Sequence, residues 1–349
     1  MLRWLTTPHA VVPSPVLRSA SRANAVRAHV PATKLQTGCA SSVVRPISRR
    51  ACVRAQATAT GQEGSLSERI EDGMLKHAGK KSVERVLESL HALASGQEFA
   101  KTWPEDGIQM ANSYIRDLPA IPFHDSKNYD WAMGLEENWK AIQEELLQAL
   151  GKQAQAGDGK WSAAVREDAL AYGPEWRTLV LQDRGRWDDI NTQLFPKTTK
   201  LVKQFNVPSS EVFFAVQGAK TGIKSHTDNT NFILTGHLGL VVPEGDCWIK
   251  VGDHTRNWEE GKTVILDTSF LHETENNTES PRYVLICRFW HPGLTEVEKN
   301  ALLFVFDCLD APEAAGIREA QKSFQKRLKK NTPVSGKMGF SGGGGFGKK

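Results

Sequence analysis

Three residues in two short stretches carry the clearest chemistry in this chain: His226 and Asp228, separated by Thr227, and His272, 44 positions after Asp228. Two imidazoles and one carboxylate are the donor set that takes one face of a mononuclear non-haem iron and leaves positions open for a co-substrate and dioxygen. In an extended strand residues i and i+2 point the same way, so His226 and Asp228 present their side chains together if that segment is a strand. The third ligand must come from a neighbouring strand. His272 closes a strand-like run that begins at Val264-Ile265-Leu266-Asp267. Arg282 follows ten residues later, and its planar fork suits a bidentate bond to a carboxylate, such as the far end of a diacid co-substrate. A plainer reading stands beside this one: His226 and Asp228 as a surface loop pair, His272 as a core histidine.

The elements that must position these residues are mainly β. From about Trp176 the apolar period changes from 3.6 to 2 and predicts strands over 178–182, 211–217, 231–243, 247–251, 263–267 and 281–290, with turn signals at Glu244-Gly245, Gly252-Asp253 and Glu260-Gly261. Short strands at this spacing, without intervening helices, predict an antiparallel sandwich or jelly roll. Parity sorts the last strand: Arg282, Val284, Ile286 and Arg288 share one face, and Tyr283, Leu285, Cys287 and Phe289 the other. An arginine in register with Val and Ile is not a loose surface residue. His237 likewise shares a face with Ile233, Thr235, Gly239 and Val241. A core ion pair for Arg282 and a backbone-bonded core imidazole for His237 are the structural alternatives.

Helices flank this region. Val83, Val86, Leu87, Leu90 and Leu93 recur at helical spacing, with Ser82 as the expected N-cap. Leu135, Trp139, Ile142, Leu146 and Leu150 form one stripe of a single helix that Gly151 is expected to end. A helix resumes near Glu296, and a charged amphipathic segment spans 317–330.

Composition bounds the rest. The 349 residues hold 44 basic and 40 acidic side chains, but residues 1–62 contain nine Lys/Arg and no Asp or Glu. Setting that arm aside leaves 35 basic against 40 acidic residues, a mildly acidic body that gives no support for a nucleic-acid partner. The first sixty residues are rich in Ser, Ala, Val and Arg and are interrupted by Pro13, Pro15, Pro31 and Pro46. They read as an organellar transit segment, with a chloroplast (stroma) address favoured over a mitochondrial one. The longest apolar run, Ala301 to Phe306, is six residues, far short of the roughly 20 that a membrane span needs. Five cysteines with no CxxC spacing give neither a disulfide framework nor a zinc site.

Several blocks together make the chain recognisable. They are Ser225-His226-Thr227-Asp228-Asn229-Thr230-Asn231, then His237-Leu238-Gly239-Leu240-Val241-Val242-Pro243, Arg256-Asn257-Trp258-Glu259-Glu260-Gly261-Lys262, Asp267-Thr268-Ser269-Phe270-Leu271-His272-Glu273 and Trp290-His291-Pro292. With Leu135-Glu136-Glu137-Asn138-Trp139 ahead of them, they resemble the aspartyl/asparaginyl β-hydroxylase family in order and spacing over roughly residues 120–295. The resemblance implies a double-stranded β-helix (jelly roll, cupin-like) that binds Fe(II) and 2-oxoglutarate and uses O2. It matches His226 and His272 to the family's metal histidines, Arg282 to the arginine on the distal carboxylate of 2-oxoglutarate, and His237 to a histidine contacting the co-substrate.

Two departures matter. Asp228 stands where animal members have glycine, so this chain can build a complete two-His, one-carboxylate triad. Thr235 stands where they carry a further basic co-substrate contact. The helical-repeat region and membrane anchor of animal members are not evident. The expected organisation is a transit segment at 1–60, a helical extension at 61–118, the β-helix domain at 119–295, C-terminal helices at 296–330 and a disordered Gly/Lys-rich tail at 331–349. The function implied is a 2-oxoglutarate-dependent hydroxylase acting on an unactivated C–H of an amino-acid, peptidyl or other small organic substrate. The alternative is a non-catalytic metal- or small-ligand-binding β-helix module.

Overall fold

Local chemistry sets the first elements. α1 (Leu66–Ala78) opens on a capping box, in which Ser65 and Glu68 each accept from the other's backbone amide. α2 (Lys80–Ser95) ends at Gly96, whose φ of 73° is a left-handed cap. Ser82 therefore lies inside α2 rather than capping it, while Val83, Val86, Leu87 and Leu90 are buried along one stripe. A hairpin of β1 (Phe99–Trp103) and β2 (Gly107–Ala111) follows, within the stretch expected to be helical. Its turn, Pro104-Glu105-Asp106-Gly107, uses residue types that favour chain reversal, and Gly107 takes a φ of 91°.

The structure, a computed structural model, describes residues 64–156, 162–163, 171–172 and 176–331. The transit segment read at 1–60 and the tail after Asn331 lie outside the described residues. β3 (Phe123–His124), α3 (Asp130–Glu137) and α4 (Trp139–Ala156) come next. The single helix expected over 135–150 is thus two, broken at Asn138, whose side-chain amide donates to the Gly134 carbonyl and competes with the helical ladder. Gly151 lies within α4 rather than after it. β4 (Ser162–Ala163), β5 (Ala171–Tyr172), β6 (Trp176–Asp183), β7 (Arg186–Trp187), α5 (Asn191–Leu194) and α6 (Pro196–Gln204) lead into the central domain.

Eight strands then pass back and forth between two antiparallel sheets, with β11 and β12 forming a hairpin within the smaller one: β8 (Ser209–Gln217), β9 (Thr221–His226), β10 (Ile233–Val241), β11 (Cys247–Val251), β12 (His254–Asn257), β13 (Thr263–Leu266), β14 (His272–Asn276) and β15 (Arg282–Trp290). The larger sheet runs β13-β10-β15-β8, extended by β3 at one edge and by β6 and β4 at the other. The smaller runs β12-β11-β14-β9-β5. This alternation is the topology of a double-stranded β-helix. Among the described residues the two sheets do not join into a closed barrel. Helices α7 (Glu296–Asp310) and α8 (Ala314–Asn331) complete the chain.

Parity assigns each face of the large sheet. Leu285, Cys287 and Phe289 of β15 pack with Leu234 and Leu238 of β10 against Trp131, Leu135, Ile142 and Leu146 of α3 and α4. The opposite face sends Val284, Ile286, Val264 and Leu266 toward Ile249 and Val251 of the small sheet. A third cluster joins α1, α2, α7 and α8 to Phe232 and Trp290 at the sheet end. Burying one such side chain contributes roughly 1.5–3 kcal/mol, so these layers fix the frame on which the site is mounted. A half-buried ion pair helps lock the N-terminal helices: Arg85 donates two bonds of 2.7 Å to Glu298, which also caps α7 through Thr295.

Candidate metal centre and the adjoining cavity

The small sheet presents the two histidines. His226 ends β9, His272 opens β14, and they are paired across the ladder with ring centroids 4.2 Å apart. One donor atom from each of His226, Asp228 and His272 lies within 4.8 Å of the others. His272 does not close the strand that begins at Val264, as its sequence context predicts. β13 stops at Leu266, and the chain turns over to the other sheet through Asp267, which accepts from the Ser269 amide at 2.9 Å. Such side chain-to-backbone bonds stop a strand where propensity would continue it. Asp228 lies two residues beyond the end of β9, so tertiary anchoring places it rather than strand parity. Its amide donates to the Thr268 carbonyl at 2.9 Å, and Asn229 follows with a φ of 64°, which asparagine tolerates better than most residues.

Each histidine is oriented the same way. His226 Nδ1 lies 2.8 Å from the Lys224 carbonyl and His272 Nδ1 3.0 Å from the Phe270 carbonyl. A carbonyl can only accept, so in both rings Nδ1 carries the proton and the lone pair of the neutral imidazole sits on Nε2. This carbonyl-held tautomer is the usual state of a metal-ligating histidine.

A cavity of about 170 Å³ runs from these three residues between the sheets, reaching His237 and Arg282. Both are buried. Burial pulls the Arg282 guanidinium down to about 10, so it remains a cation at neutral pH. Burial, and then the charge of Arg282, push His237 down to about 3, so its ring is neutral there. Trp258 forms a floor common to both: Arg282 Cζ sits 3.8 Å from its ring centroid, and the His237 ring stacks on it at 8°. Gly239 lets that floor close, because a Cβ there would meet the Glu259 carbonyl oxygen at 2.2 Å. The loop is then held by bonds from the Gly239 amide to Lys262 and from the Gly261 amide to Gly239.

The buried polar atoms test whether a metal and a dicarboxylate fit. Arg282 Nε and Nη1, His237 Nδ1 and the hydroxyls of Thr235, Thr268 and Thr274 have no hydrogen-bond partner, and all of these residues line the cavity. Buried donors left unmatched cost about 1–3 kcal/mol each; several converging on one space fit a bound acceptor-rich anion. The His/Asp/His donor set fits a divalent transition metal.

Three contributors escaped sequence reading. Trp258 sits in a loop, where parity says nothing. Parity gives Arg288 the same strand face as Arg282 but no partner; it donates to Asp228 Oδ2 at 3.1 Å. The β1–β2 hairpin and the residues after it brace both ligand-bearing loops. Met110 donates to the Ser269 carbonyl and Leu271 to that of Ile108, while the amides of Asn112 and Ser113 share the Asn229 carbonyl. Gln109 adds a bond to Ser269 Oγ at 2.9 Å. The only local signal was the turn composition at 104–107.

The chain is similar to known hydroxylases over this region. Residues 136–292 match the model of the family described as Aspartyl/Asparaginyl beta-hydroxylase. The aspartyl/asparaginyl beta-hydroxylase of Mus musculus is 33% identical over 211 residues, which is 58% of this chain and 27% of that protein. The ornithine lipid ester-linked acyl 2-hydroxylase of Rhizobium tropici is 28% identical over 173 residues, 49% of this chain and 61% of that one. The chain thus spans about a quarter of its mammalian relatives' length. Among solved structures, a prolyl hydroxylase of Trichoplax adhaerens with a hypoxia inducible factor peptide fragment is similar at 13% identity and a TM-score of 0.33, over 48% of this chain and 90% of that one. Motif order, strand topology and this match converge on one region: through residues 136–292, the chain is similar to the aspartyl/asparaginyl β-hydroxylase family.

Proposed function

We propose that this chain is an Fe(II)- and 2-oxoglutarate-dependent dioxygenase that hydroxylates an unactivated C–H of an amino-acid, peptidyl or other small organic substrate. The observation that carries the reading is one cavity lined both by a His226/Asp228/His272 donor cluster and by a buried, partner-seeking Arg282. His226, Asp228 and His272 would hold the metal. Arg282 would grip the distal carboxylate of 2-oxoglutarate, with neutral His237 donating or accepting beside it. When bound, iron and 2-oxoglutarate supply the oxidising chemistry, in which substrate, 2-oxoglutarate and O2 yield hydroxylated substrate, succinate and CO2.

The residues of the chain do the rest. The carbonyls of Lys224 and Phe270 keep both imidazoles in the ligating tautomer. Ile249 and Ile286 wall the cavity with apolar surface that restricts water, which strengthens the Arg282–carboxylate bond, while Trp258 backs the guanidinium. Similar proteins carry hydroxylase names that specify different substrates, and hydroxylation is what those names share.

Anaerobic reconstitution of the purified chain with Fe(II) and 2-oxoglutarate, followed by O2, tests the reading. Iron- and oxygen-dependent succinate release is expected, with a gain of one oxygen atom on a substrate screened from plastid extract. Metal binding without succinate release under any substrate screened would favour the non-catalytic module instead. The chloroplast address of residues 1–60 is proposed on their acid-free, Arg- and Ser-rich composition. A fluorescent fusion of that segment that stays outside plastids would remove it. Among the described residues no helix is long and apolar enough to cross a membrane.

A further inference from the structure

We infer that Arg288 is a positioning residue for the candidate metal centre: its guanidinium fixes the carboxylate of Asp228 as the third ligand, and Glu211 supplies the counter-charge that lets a cation sit so close to a metal. The inference rests on the proposed centre but concerns a residue that neither the motif nor the resemblance assigns.

Three observations carry it. The Asp228 backbone is already immobilised, by its own amide on Thr268 and by the amides of Asn112 and Ser113 on the next carbonyl. What remains adjustable is the carboxylate, and Arg288 Nη1 holds its Oδ2 at 3.1 Å with the two side chains 7% and 15% exposed. Arg288 in turn is set by the ladder. Thr235, Arg288 and Glu211 lie in one row across β10, β15 and β8, and Glu211 Oε2 stands 3.9 Å from Arg288 Nε. A lone guanidinium beside a divalent ion would repel it. Paired with Glu211, it presents a directed N–H to Asp228 with little net charge, the arrangement by which an outer partner orients a ligating carboxylate. All three charged residues line the same cavity.

The test is a double-mutant cycle read by Co(II) binding to the full chain without oxygen, using affinity and the visible absorption of the bound ion. Arg288→Met, close in length and uncharged, is expected to lower Co(II) affinity about 10- to 100-fold, the usual loss when a ligand's hydrogen-bonding partner is removed. Arg288→Lys should recover part of that loss. In an Asp228→Ala background, Arg288→Met should change affinity little, because Arg288 acts through Asp228. Should Arg288→Met not fold, Arg288→Lys carries the same cycle with a smaller expected loss. Equal or tighter Co(II) binding by folded Arg288 variants, or an equal loss with and without Asp228, overturns the inference. Failure of the unmodified chain to bind Co(II) would instead overturn the metal centre itself, so the two failures are distinguishable.

Discussion

His226 and His272 face each other as register partners on β9 and β14, and each ring is tied through Nδ1 to the carbonyl two residues earlier in its own chain segment. A pair pre-set in this way needs no rearrangement to present two Nε2 lone pairs. Replacing His272 by Ala is expected to abolish Fe(II) binding measured by anaerobic titration while leaving the far-ultraviolet circular dichroism intact. Asp228→Ala should weaken binding or uncouple 2-oxoglutarate consumption from substrate hydroxylation. Unchanged iron affinity and full activity in Asp228→Ala would remove that residue from the site.

Arg282 is buried without a hydrogen-bond partner for Nε or Nη1, apart from its stacking on Trp258. That is a cost to the empty protein and a gain to the loaded one. Arg282→Met is therefore expected to stabilise the protein without 2-oxoglutarate, on the order of 1–4 kcal/mol, the range seen when buried ionic groups give way to apolar ones. The same change should weaken 2-oxoglutarate binding about 10- to 100-fold, the loss of a charge-assisted bond. Thermal melts with and without 2-oxoglutarate read both effects; a destabilised empty variant would argue that Arg282 has a structural partner.

The turn residue Asp267 titrates in the physiological range. Burial pushes it up to about 7, against the opposing pull of the Ser269 donors, while its unfolded value is near 3.9. Its folded form binds the proton more tightly, so its contribution is fully present below about pH 4 and is lost as pH rises through 7. His237 and His124, pushed by burial down to about 3 and about 4, work in the opposite sense. Their contribution is present above about pH 6.5 and fades as pH falls. Asp267→Asn keeps an acceptor for Ser269 and should flatten the decline of Tm between pH 4 and 8 while sparing the acid limb. A Tm profile identical to that of the unmodified protein would contradict the assignment.

Gly252 lies at φ 57°, and a Cβ there would meet the Asp106 carbonyl oxygen at 1.7 Å. It is the point where the β11–β12 turn receives the tip of the β1–β2 hairpin, and its amide bonds to Leu271, next to His272. Gly252→Ala is expected to cost about 1–3 kcal/mol through overpacking and strain. Because the hairpin braces the 267–271 turn, metal affinity should fall with stability. Loss of stability alone, with Co(II) affinity unchanged, would show that the hairpin does not position the site.

Local pattern carried much of this protein. Alternation along β15 separated Arg282 and Arg288 from Leu285 and Phe289 correctly, because side chains in a strand alternate whatever surrounds them. The strand at 247–251 matched to the residue for the same reason. The identities of His226, Asp228 and His272 as one cluster were legible from motif spacing, and the geometry brings all three together. Other features were not legible, and each depends on contacts between segments far apart in the chain. Whether His272 closes β13 or opens β14 was decided by the Asp267 turn and by pairing with His226. Asp228 owes its place to Thr268 and Arg288, 40 and 60 residues away. The Trp258 floor likewise exists only once its loop packs against Arg282 and His237. Sequence periodicity reports which way a side chain points within its own element; which groups it then meets is set by how the elements close on one another.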